Sequence, residues 1–282
     1  MAAGVRDTVA HVTERLALVG VESPEVEAEI LVAYVVGVTR SELVLQPTVA
    51  RKKEKALERL VARREQREPL AYVLGEWGFR RLTLSVDRRV LVPRPETEVV
   101  VERCLACLAA AGELPDVLDV GTGSGAIALA IADEHPGARV TGVDVSAGAL
   151  EVAGANALRN GLVVEFHEWD LFAGLPTGPW DLVVSNPPYV LPEQIDGLEP
   201  EVREWEPREA LVGVGATEAV ARGALDVLRP RGALVLEVAA GDAARVASLL
   251  GAHGYADISV TRDLAGRDRV VEAVTASALG AG

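Results

Sequence analysis

Short apolar runs alternate with longer segments of helical periodicity from residue 117 onward, and this alternation constrains the fold more than any other feature. Strands and helices that follow one another in this way build a parallel sheet with helices on both faces. The expected strands are 117–120, 140–143, 163–167, 182–185, 233–238, 257–261 and 269–274, and the expected helices begin near Ala126, Ala147, Thr217 and Ala243. Of the 282 residues, 49% are apolar, which is enough for a large core. The sequence therefore predicts an α/β protein with a mainly parallel, doubly wound sheet.

The N-terminal region has a different pattern, in which apolar residues recur at helical spacing and no convincing strand occurs. Examples of that spacing are Val5, Val9, Val12 and Leu16. Leu82 and Leu84 then alternate with polar residues, and an apolar run follows at 90–92, which together indicate a hairpin or strand pair. The predicted divisions are a small helical domain at 1–75, a β-hairpin linker at 76–95 and a larger domain at 96–282.

The charge of the chain is distributed unevenly. Lys plus Arg total 28 and Asp plus Glu total 42, so the formal net charge is −14 at pH 7. Residues 1–75 contain 11 basic and 11 acidic side chains, so the whole of the −14 falls on residues 76–282. A negative field of this size repels a phosphate backbone unless a local basic groove overrides it. Nucleic acid is therefore a disfavoured substrate.

The sequence carries no sign of membrane insertion or of a metal centre. Its first 16 residues lack the apolar run of a signal peptide, and no stretch of about 18 apolar residues could span a bilayer. Cys104 and Cys107 are the two cysteines, and zinc would need further thiol or imidazole ligands, none of which is close in sequence. Small apolar residues on the buried face of a helix are the better interpretation. We expect a cytoplasmic protein without a metal site.

A run rich in basic residues lies near the end of the predicted helical domain. It comprises Arg51, Lys52, Lys53, Lys55, Arg59, Arg63, Arg64 and Arg67, interleaved with Glu54, Glu58, Glu65 and Glu68. Opposite charges at this spacing suit i,i+4 pairs on a solvated helix. We favour that interpretation over a docking surface for a partner, which remains the alternative.

A glycine-rich turn follows the first strand of the larger domain. It consists of Gly121, Thr122, Gly123, Ser124 and Gly125. Where Cβ atoms are absent, a ligand can approach the backbone and the N-terminus of the following helix. The turn and Ala126 also match the dinucleotide pattern G-x-G-x-x-A. A nicotinamide or flavin enzyme is therefore a competing interpretation of this segment alone.

Two acidic residues follow the next two strands. Asp144 ends the second strand, where its carboxylate can accept hydrogen bonds from two ribose hydroxyls, or can cap the helix that follows. Asp170 follows the third strand and can accept from an exocyclic amine such as that of adenine, while Leu171 packs on the ring face. A solvent-facing loop acid is the alternative for Asp170. In register after the glycine turn, the two acids indicate a nucleoside-containing cofactor.

Asn186, Pro187, Pro188 and Tyr189 follow the fourth strand, at the edge where open α/β sheets bind ligands. The prolines take the chain out of the sheet and stiffen it. The Asn186 oxygen and the Pro187 carbonyl can each accept one N–H of an NH2 group, and Tyr189 can stack on its plane. Two aligned acceptors stabilise the positive charge that grows as this nitrogen attacks a sulfonium methyl. The tetrad predicts methyl transfer from S-adenosyl-L-methionine, with Asn186, Pro187 and Tyr189 as catalytic residues.

The glycine turn, Asp144, Asp170 and the Asn-Pro-Pro-Tyr tetrad resemble those of class I methyltransferases that act on planar nitrogens and have a Rossmann-like fold. Further segments narrow the resemblance to the protein-(glutamine-N5) methyltransferases of peptide chain release factors, the HemK-like family, over nearly the whole chain. These segments lie at residues 69–75, 91–98, 202–211 and 262–271. After strand five the family usually carries Glu, Ile or Val, Gly and then Gln, whereas this chain has Glu237, Val238, Ala239, Ala240, Gly241 and Asp242.

The resemblance implies methylation of the glutamine side-chain amide in the Gly-Gly-Gln loop of class 1 release factors. It implies that the cofactor is held by the glycine turn, Asp144, Asp170, Leu171 and Asn186. The tetrad of Asn186, Pro187, Pro188 and Tyr189 would hold the glutamine. Residues 93–97 would lie near the rim of the site, and the helical domain would recognise the substrate.

Other functions remain open at this point. An exocyclic amine of DNA or RNA is a possible acceptor because a flipped base presents a similar planar NH2 group. The charge of the larger domain argues against it, so we expect no direct contact with nucleic acid. Separately, we expect a monomer. A nicotinamide-dependent oxidoreductase would leave the tetrad without a role. A pure binding module conflicts with a site whose parts all face one acceptor nitrogen.

Overall fold

The computed structural model describes residues 3–277. Its strands are β1 (Ala3–Gly4), β2 (Thr48–Val49), β3 (Glu76–Phe79), β4 (Leu82–Ser85), β5 (Asp116–Val120), β6 (Arg139–Asp144), β7 (Glu165–Glu168), β8 (Trp180–Ser185), β9 (Leu228–Glu237), β10 (Ala256–Arg262) and β11 (Asp268–Val274). Its α-helices are α1 (Val5–Leu18), α2 (Pro24–Val36), α3 (Arg40–Leu43), α4 (Arg51–Glu65), α5 (Leu70–Leu74), α6 (Thr97–Leu108), α7 (Ala126–Glu134), α8 (Ala147–Asn160), α9 (Pro200–Trp205), α10 (Arg208–Leu211), α11 (Ala216–Val227) and α12 (Ala243–Ala252). Within this range, no helix combines the length and apolar character needed to cross a membrane.

The chain divides into two compact units. The first is Met1–Glu76 with Leu198–Trp205, and the second is Trp77–Gly197 with Glu206–Gly282. The sequence divides the chain at residue 75 and does not anticipate that α9 joins the first unit. The outermost parts of the predicted domains, residues 1–2 and 278–282, lie outside the described residues.

The first unit is built from helices around a small apolar core. Helices α1, α2 and α4 bury Leu16, Leu31 and Val61 completely. Strands β1 and β2 pair antiparallel in the same unit, although no strand is expected there from the sequence. Strands of two residues are too short to produce the alternation of apolar and polar residues that identifies a strand.

The C-terminal end of the basic run makes tertiary ion pairs, where the sequence predicts i,i+4 pairs. Arg64 is only 3% exposed and contacts Glu27 at 2.5 Å and Glu201 at 2.7 Å. Arg67 donates two further hydrogen bonds to Glu201, each of 2.6 Å. The interpretation as a solvated helix is therefore wrong for this end of α4. Nearer the N-terminus, Arg51, Lys52, Lys55 and Arg59 are exposed, which is compatible both with a solvated helix and with the docking alternative.

The second unit contains a seven-stranded sheet with the order β10-β11-β9-β8-β5-β6-β7. Strands β5 to β9 run parallel, and β11 is antiparallel to both of its neighbours. This topology confirms the predicted doubly wound, Rossmann-like sheet. The chain continues from β5 outward to β6 and β7 and then returns to β8 on the other side. Strands β5 and β8 therefore lie at the topological switch point, where sheets of this kind bind ligands.

Both faces of the central strands are buried. Val117 and Leu118 are consecutive in β5 and point to opposite faces, the first into a core with α6 and α7 and the second into a core with α11 and α12. Burial on both faces explains why these strands have continuous apolar runs instead of alternation. Cys104 on α6 is completely buried in the first core, which raises the pKa of its thiol, and Cys107 is half-buried.

Strands β3 and β4 form the expected hairpin, with Leu82 and Leu84 buried. The partner of β4 precedes it, whereas residues 90–92 form no strand, contrary to the prediction. The chain turns just before them, where the Val90 N–H donates to the Asp87 carbonyl at 3.1 Å, so Val90 and Val92 are buried from a loop and Leu91 is half-buried.

Candidate active site

A cavity of about 420 Å³ opens at the carboxyl ends of β5, β6 and β8. This volume is within the range of about 300–1,000 Å³ that small-molecule sites occupy. The predicted site residues that line it are Gly121, Thr122, Gly123, Ser124, Asp144, Asp170, Leu171, Asn186 and Pro188. The other predicted site residues, Gly125, Pro187 and Tyr189, adjoin these in the chain but do not line the cavity.

The glycine turn adopts a backbone that only glycine accommodates well. Gly121, Gly123 and Gly125 have φ values of 73°, 56° and 81°, in the left-handed region. A Cβ atom built on Gly121 or Gly123 would meet no protein atom within 4 Å, so the space beside both residues is open. The N–H groups of Gly121 and Thr122 both donate to the Val143 carbonyl, at 2.8 and 2.9 Å. These bonds hold the turn against the end of β6.

Asp144 ends β6 and contacts two backbone groups. Its Oδ2 accepts from the Gly123 N–H at 2.9 Å, and its Oδ1 accepts from the Ser146 N–H at 3.0 Å. Burial raises the pKa of this carboxyl, and the two backbone hydrogen bonds act in the opposite direction. The carboxylate is thus held in one orientation at the cavity wall. Glu209, which also lines the cavity, raises this pKa further through its charge.

Asp170 begins the short 3-10 helix Leu171–Ala173 and accepts the Phe172 N–H at 2.9 Å. It is exposed, as the loop interpretation expects, and it also lines the cavity. Trp169 and Phe172 line the same wall and are 38% and 58% exposed. The sequence predicts Leu171 as a packing surface, and the structure adds both aromatic rings to it. Their position in the sequence, directly beside the acid that follows β7, is the signal that could have identified them as cavity residues.

The Asn-Pro-Pro-Tyr tetrad leaves the sheet directly after β8. Ser185 ends that strand and donates its hydroxyl to the Val120 carbonyl of β5 at 2.7 Å, which joins the two strands at the switch point. Pro188 lies against Gly213, where an added Cβ would be 2.3 Å from the Pro188 Cγ. Beyond the tetrad, Val190 donates to the Leu211 carbonyl at 2.9 Å. The tetrad is therefore supported from both sides.

Asn186 begins a chain of hydrogen bonds to two residues from other parts of the second unit. Its Nδ2 donates to Thr97 Oγ1 at 3.4 Å, and this hydroxyl donates to Glu237 Oε2 at 2.7 Å. Burial raises the pKa of the Glu237 carboxyl, while hydrogen bonds from Thr97 and Tyr189 and the charge of Arg269 act in the opposite direction. Burial likewise raises the pKa of Tyr189 to about 12. The charge of Glu237 raises the Tyr189 pKa further.

Two more acidic groups lie near the cavity and are not predicted as site residues from the sequence. Glu206 is 6% exposed and accepts from the Arg94 Nη2 at 2.6 and 2.7 Å. Asp119 is buried in β5, and burial raises its pKa to about 7. Its Oδ2 accepts from the Thr122 hydroxyl at 2.7 Å, whereas its Oδ1 has no hydrogen-bond partner within the described part of the chain. An acid in the strand before a glycine turn is the one signal that could have identified Asp119.

Two family models match the chain, the PrmC N-terminal domain at residues 7–75 and the Methyltransferase small domain at residues 102–198. Among solved structures, a methyltransferase from Pyrococcus furiosus has a TM-score of 0.50 at 17% identity, covering 69% of this chain and 89% of that one. That likeness concerns the fold alone, and it agrees with the Rossmann-like sheet.

Curated relatives extend over nearly the whole chain. The release factor glutamine methyltransferase of Chlorobaculum tepidum is 40% identical over 280 residues, which cover 94% of each chain. That of Deinococcus radiodurans is 40% identical over 277 residues, which cover 95% of this chain and 98% of the relative. On the strength of this identity and coverage, the chain belongs to the release factor glutamine methyltransferase family.

Proposed function

We propose that this enzyme transfers a methyl group from S-adenosyl-L-methionine to the side-chain amide nitrogen of the glutamine in the Gly-Gly-Gln motif of class 1 release factors. The names of its relatives support this substrate. The observation that carries the proposal is that the glycine turn, Asp144 and Asn186 line one cavity. Groups suited to a nucleoside cofactor and groups suited to an amide acceptor thus open into the same space.

Use of S-adenosylmethionine is a general feature of methyltransferases with this domain. The residues present fit that cofactor, because the positions beside Gly121 and Gly123 are open and a ligand can approach the backbone there. The glycine turn would hold the methionine part, Asp144 the ribose and Asp170 with Leu171 the adenine. When bound, the cofactor supplies an electrophilic methyl on a positively charged sulfur. The net charge of −14 favours binding of a cationic group.

The tetrad would supply the chemistry on the acceptor side. An amide nitrogen is a poor nucleophile because its lone pair is delocalised into the carbonyl. The Asn186 oxygen and the Pro187 carbonyl would each accept one N–H of the glutamine, which aligns the nitrogen with the methyl group and stabilises the charge that grows on it. Tyr189 would pack on the amide plane. The methylated nitrogen then loses one proton to solvent.

We further propose that the helical domain at 1–75 recognises the release factor, that the hairpin at 76–95 is a linker and that 96–282 carries the catalysis. The exposed basic residues Arg51, Lys52, Lys55 and Arg59 offer a surface for an acidic patch on the substrate. Reversing their charge is expected to raise the KM for intact release factor and to leave the KM for a short Gly-Gly-Gln peptide unchanged. Equal effects on both substrates would contradict this role.

The function as a whole is tested with labelled S-adenosylmethionine and a purified class 1 release factor. We expect label on the Gly-Gly-Gln glutamine and none on a release factor in which that glutamine is Ala. Asn186→Ala should abolish the transfer while the Kd for the cofactor, measured by calorimetry, stays the same. Transfer of label to DNA or RNA in the parallel reaction, or full activity of Asn186→Ala, would refute the proposal.

Nucleic acid remains the second candidate acceptor because the tetrad could also hold the exocyclic amine of a flipped base. The charge of residues 76–282 disfavours it. We therefore propose a cytoplasmic enzyme that acts as a monomer on a protein substrate and makes no direct contact with nucleic acid. A rate of methyl transfer per enzyme molecule that stays constant when the enzyme is diluted would support the monomer. Light scattering should then give the mass of one chain.

A further inference from the structure

The orientation of the Asn186 side-chain amide decides whether the acceptor site attracts or repels the substrate nitrogen. The amide oxygen accepts an N–H, whereas the amide NH2 would oppose the two N–H bonds of a glutamine side chain. The two orientations differ by a rotation of 180° and have nearly the same shape, so packing does not discriminate between them. A hydrogen bond with a fixed direction is needed to select one.

Thr97 is placed to make that selection. It is the first residue of α6, is 4% exposed and lines the cavity beside Asn186. Its hydroxyl accepts from Asn186 Nδ2 at 3.4 Å and donates to Glu237 Oε2 at 2.7 Å. The longer of these bonds faces the site, where hydrogen bonds are often loose in the absence of substrate and tighten when it binds.

The direction of this chain follows from the number of protons available. A hydroxyl has one proton to donate, and an ionised carboxylate can only accept. Because Thr97 donates its proton to Glu237, the side of its oxygen that faces Asn186 carries lone pairs alone. The NH2 group of Asn186 is attracted to that side and its oxygen is repelled from it. The Asn186 oxygen is thereby turned away from Thr97.

Glu237 is well suited to receive that proton. It is the last residue of β9 and is 1% exposed. The positive charge of Arg269 favours its ionised form, which can only accept. Arg269 is itself held by Asp263, with contacts of 3.3 and 3.4 Å. Arg269 and the Thr97 hydroxyl favour the ionised form of Glu237, against burial and the charge of Glu96, and the ionised form maintains the direction of the chain.

We propose that Thr97, oriented by Glu237, is a positioning residue that turns the Asn186 amide so that its oxygen faces the acceptor nitrogen. This inference rests on the proposed function, because it assigns a direction to the same acceptor site. Thr97 and Glu237 act through Asn186 and take no part in methyl transfer themselves.

The first test compares Thr97→Val, which keeps the shape and removes the hydroxyl, with Thr97→Ser, which keeps the hydroxyl. Single-turnover methyl transfer to a release factor is measured with both substrates saturating. We expect Thr97→Val to slow transfer about tenfold, the rate equivalent of one hydrogen bond, and Thr97→Ser to stay near the wild-type rate. The Kd for S-adenosylmethionine should not change. Equal rates for the two variants would overturn the proposal.

Asn186→Asp provides the matched background, because both terminal oxygens of Asp are acceptors and no orientation remains to be selected. Adding Thr97→Val to Asn186→Asp is expected to cause no further slowing, and an undiminished tenfold effect would contradict the positioning role. Glu237→Gln, whose amide can donate as well as accept, should slow transfer less than Thr97→Val does. A wild-type rate for Glu237→Gln would show that Glu237 does not orient Thr97.

A second measurement is independent of activity. In 15N-labelled protein, the side-chain NH2 signals of Asn186 are identified by their loss in Asn186→Asp. We expect Thr97→Val to shift one of these two proton signals and to speed its exchange with solvent, because its hydrogen bond is lost. Unchanged signals would overturn the inference. If the wild-type enzyme transfers no label to the release factor, the proposed function fails, and the Asn186 signals still decide whether Thr97 orients this amide.

Discussion

Gly213→Ala tests how strictly the tetrad must be positioned. Gly213 lines the cavity and packs directly on Pro188. It is not among the residues with positive φ, so its backbone conformation is open to any residue. The substitution therefore adds one methyl group at the tetrad without straining the backbone. The effect can be assigned to the displacement of Pro188.

The size of the displacement follows from the distances. A Cβ on residue 213 would be 2.3 Å from the Pro188 Cγ, 2.8 Å from the Pro188 carbonyl oxygen and 2.9 Å from the Pro188 Cβ. Carbon atoms in contact are normally about 3.5–4.0 Å apart, so the proline ring must shift by about 1.2–1.7 Å if it alone moves. Overpacking of this kind costs about 1–3 kcal/mol of stability. A shift of that size in a reacting geometry costs about 100-fold in rate.

The assay is single-turnover transfer of a labelled methyl group to a release factor at saturating S-adenosylmethionine. We expect Gly213→Ala to be about 100-fold slower, with a small loss of stability in urea unfolding. Gly154→Ala is the matched control, because Gly154 lies in α8 and an added Cβ there meets nothing within 4 Å. That variant should be fully active and more stable by up to about 1 kcal/mol. A wild-type rate for Gly213→Ala would refute the view that Pro188 positions the acceptor.

Three further changes probe groups that the structure buries. Burial raises the Asp119 pKa to about 7 in the folded protein, so the stability that the protonated carboxyl contributes is present at low pH and is lost as the pH rises through about 4 to 7. Asp119→Asn should flatten this part of the pH dependence of the free energy of unfolding, measured in urea. An unchanged pH profile would count against this role of Asp119. Glu201→Ala leaves the buried Arg64 with one partner fewer and should lower the free energy of unfolding by about 3 kcal/mol in the same assay. A loss of stability below about 1 kcal/mol would mean that solvent replaces the missing carboxylate. Asn156→Ala removes two hydrogen bonds to the Ser85 backbone, of 2.7 and 3.0 Å, and one of 2.9 Å to the Ser124 carbonyl of the glycine turn. It should lower the free energy of unfolding by about 2–3 kcal/mol and raise the Kd for S-adenosylmethionine in calorimetry. An unchanged Kd would show that Asn156 does not support the cofactor site.

The elements of the second unit could be predicted where each leaves a local signal. The sequence places helix starts near Ala126 and Ala147, where α7 and α8 begin. A glycine turn precedes the first, and Asp144, which can cap a helix, precedes the second. Residues 90–92 are apolar in the same way as a strand, but they lie in a loop, from which Val90 and Val92 are buried. A short apolar run reports burial and not backbone conformation, so periodicity alone could not separate the two.

The contacts that support the candidate site could not be predicted, because they join distant parts of the chain. Thr97 and Glu237 are 140 residues apart, and Arg94 and Glu206 are 112 apart. The tetrad and the glycine turn are motifs of consecutive residues, so each can be recognised in the sequence. The partner of a single Thr or Arg depends instead on which helices and strands the fold brings together. The basic run on α4 illustrates the same limit. The spacing of its charges predicts pairs within the helix, but the fold brings in Glu201 from the segment that contains α9.

Asp144 performs a structural task that also prepares it for a ligand. Its two oxygens accept backbone N–H groups of Gly123 and of Ser146, the N-cap of α8. A carboxylate offers about four acceptor positions, so these two bonds leave room for two ribose hydroxyls. The backbone bonds also immobilise the side chain before a ligand arrives, which reduces the entropy lost on binding. The helix-start contact is therefore compatible with the ribose contact that we propose, because it leaves acceptor positions of the carboxylate free.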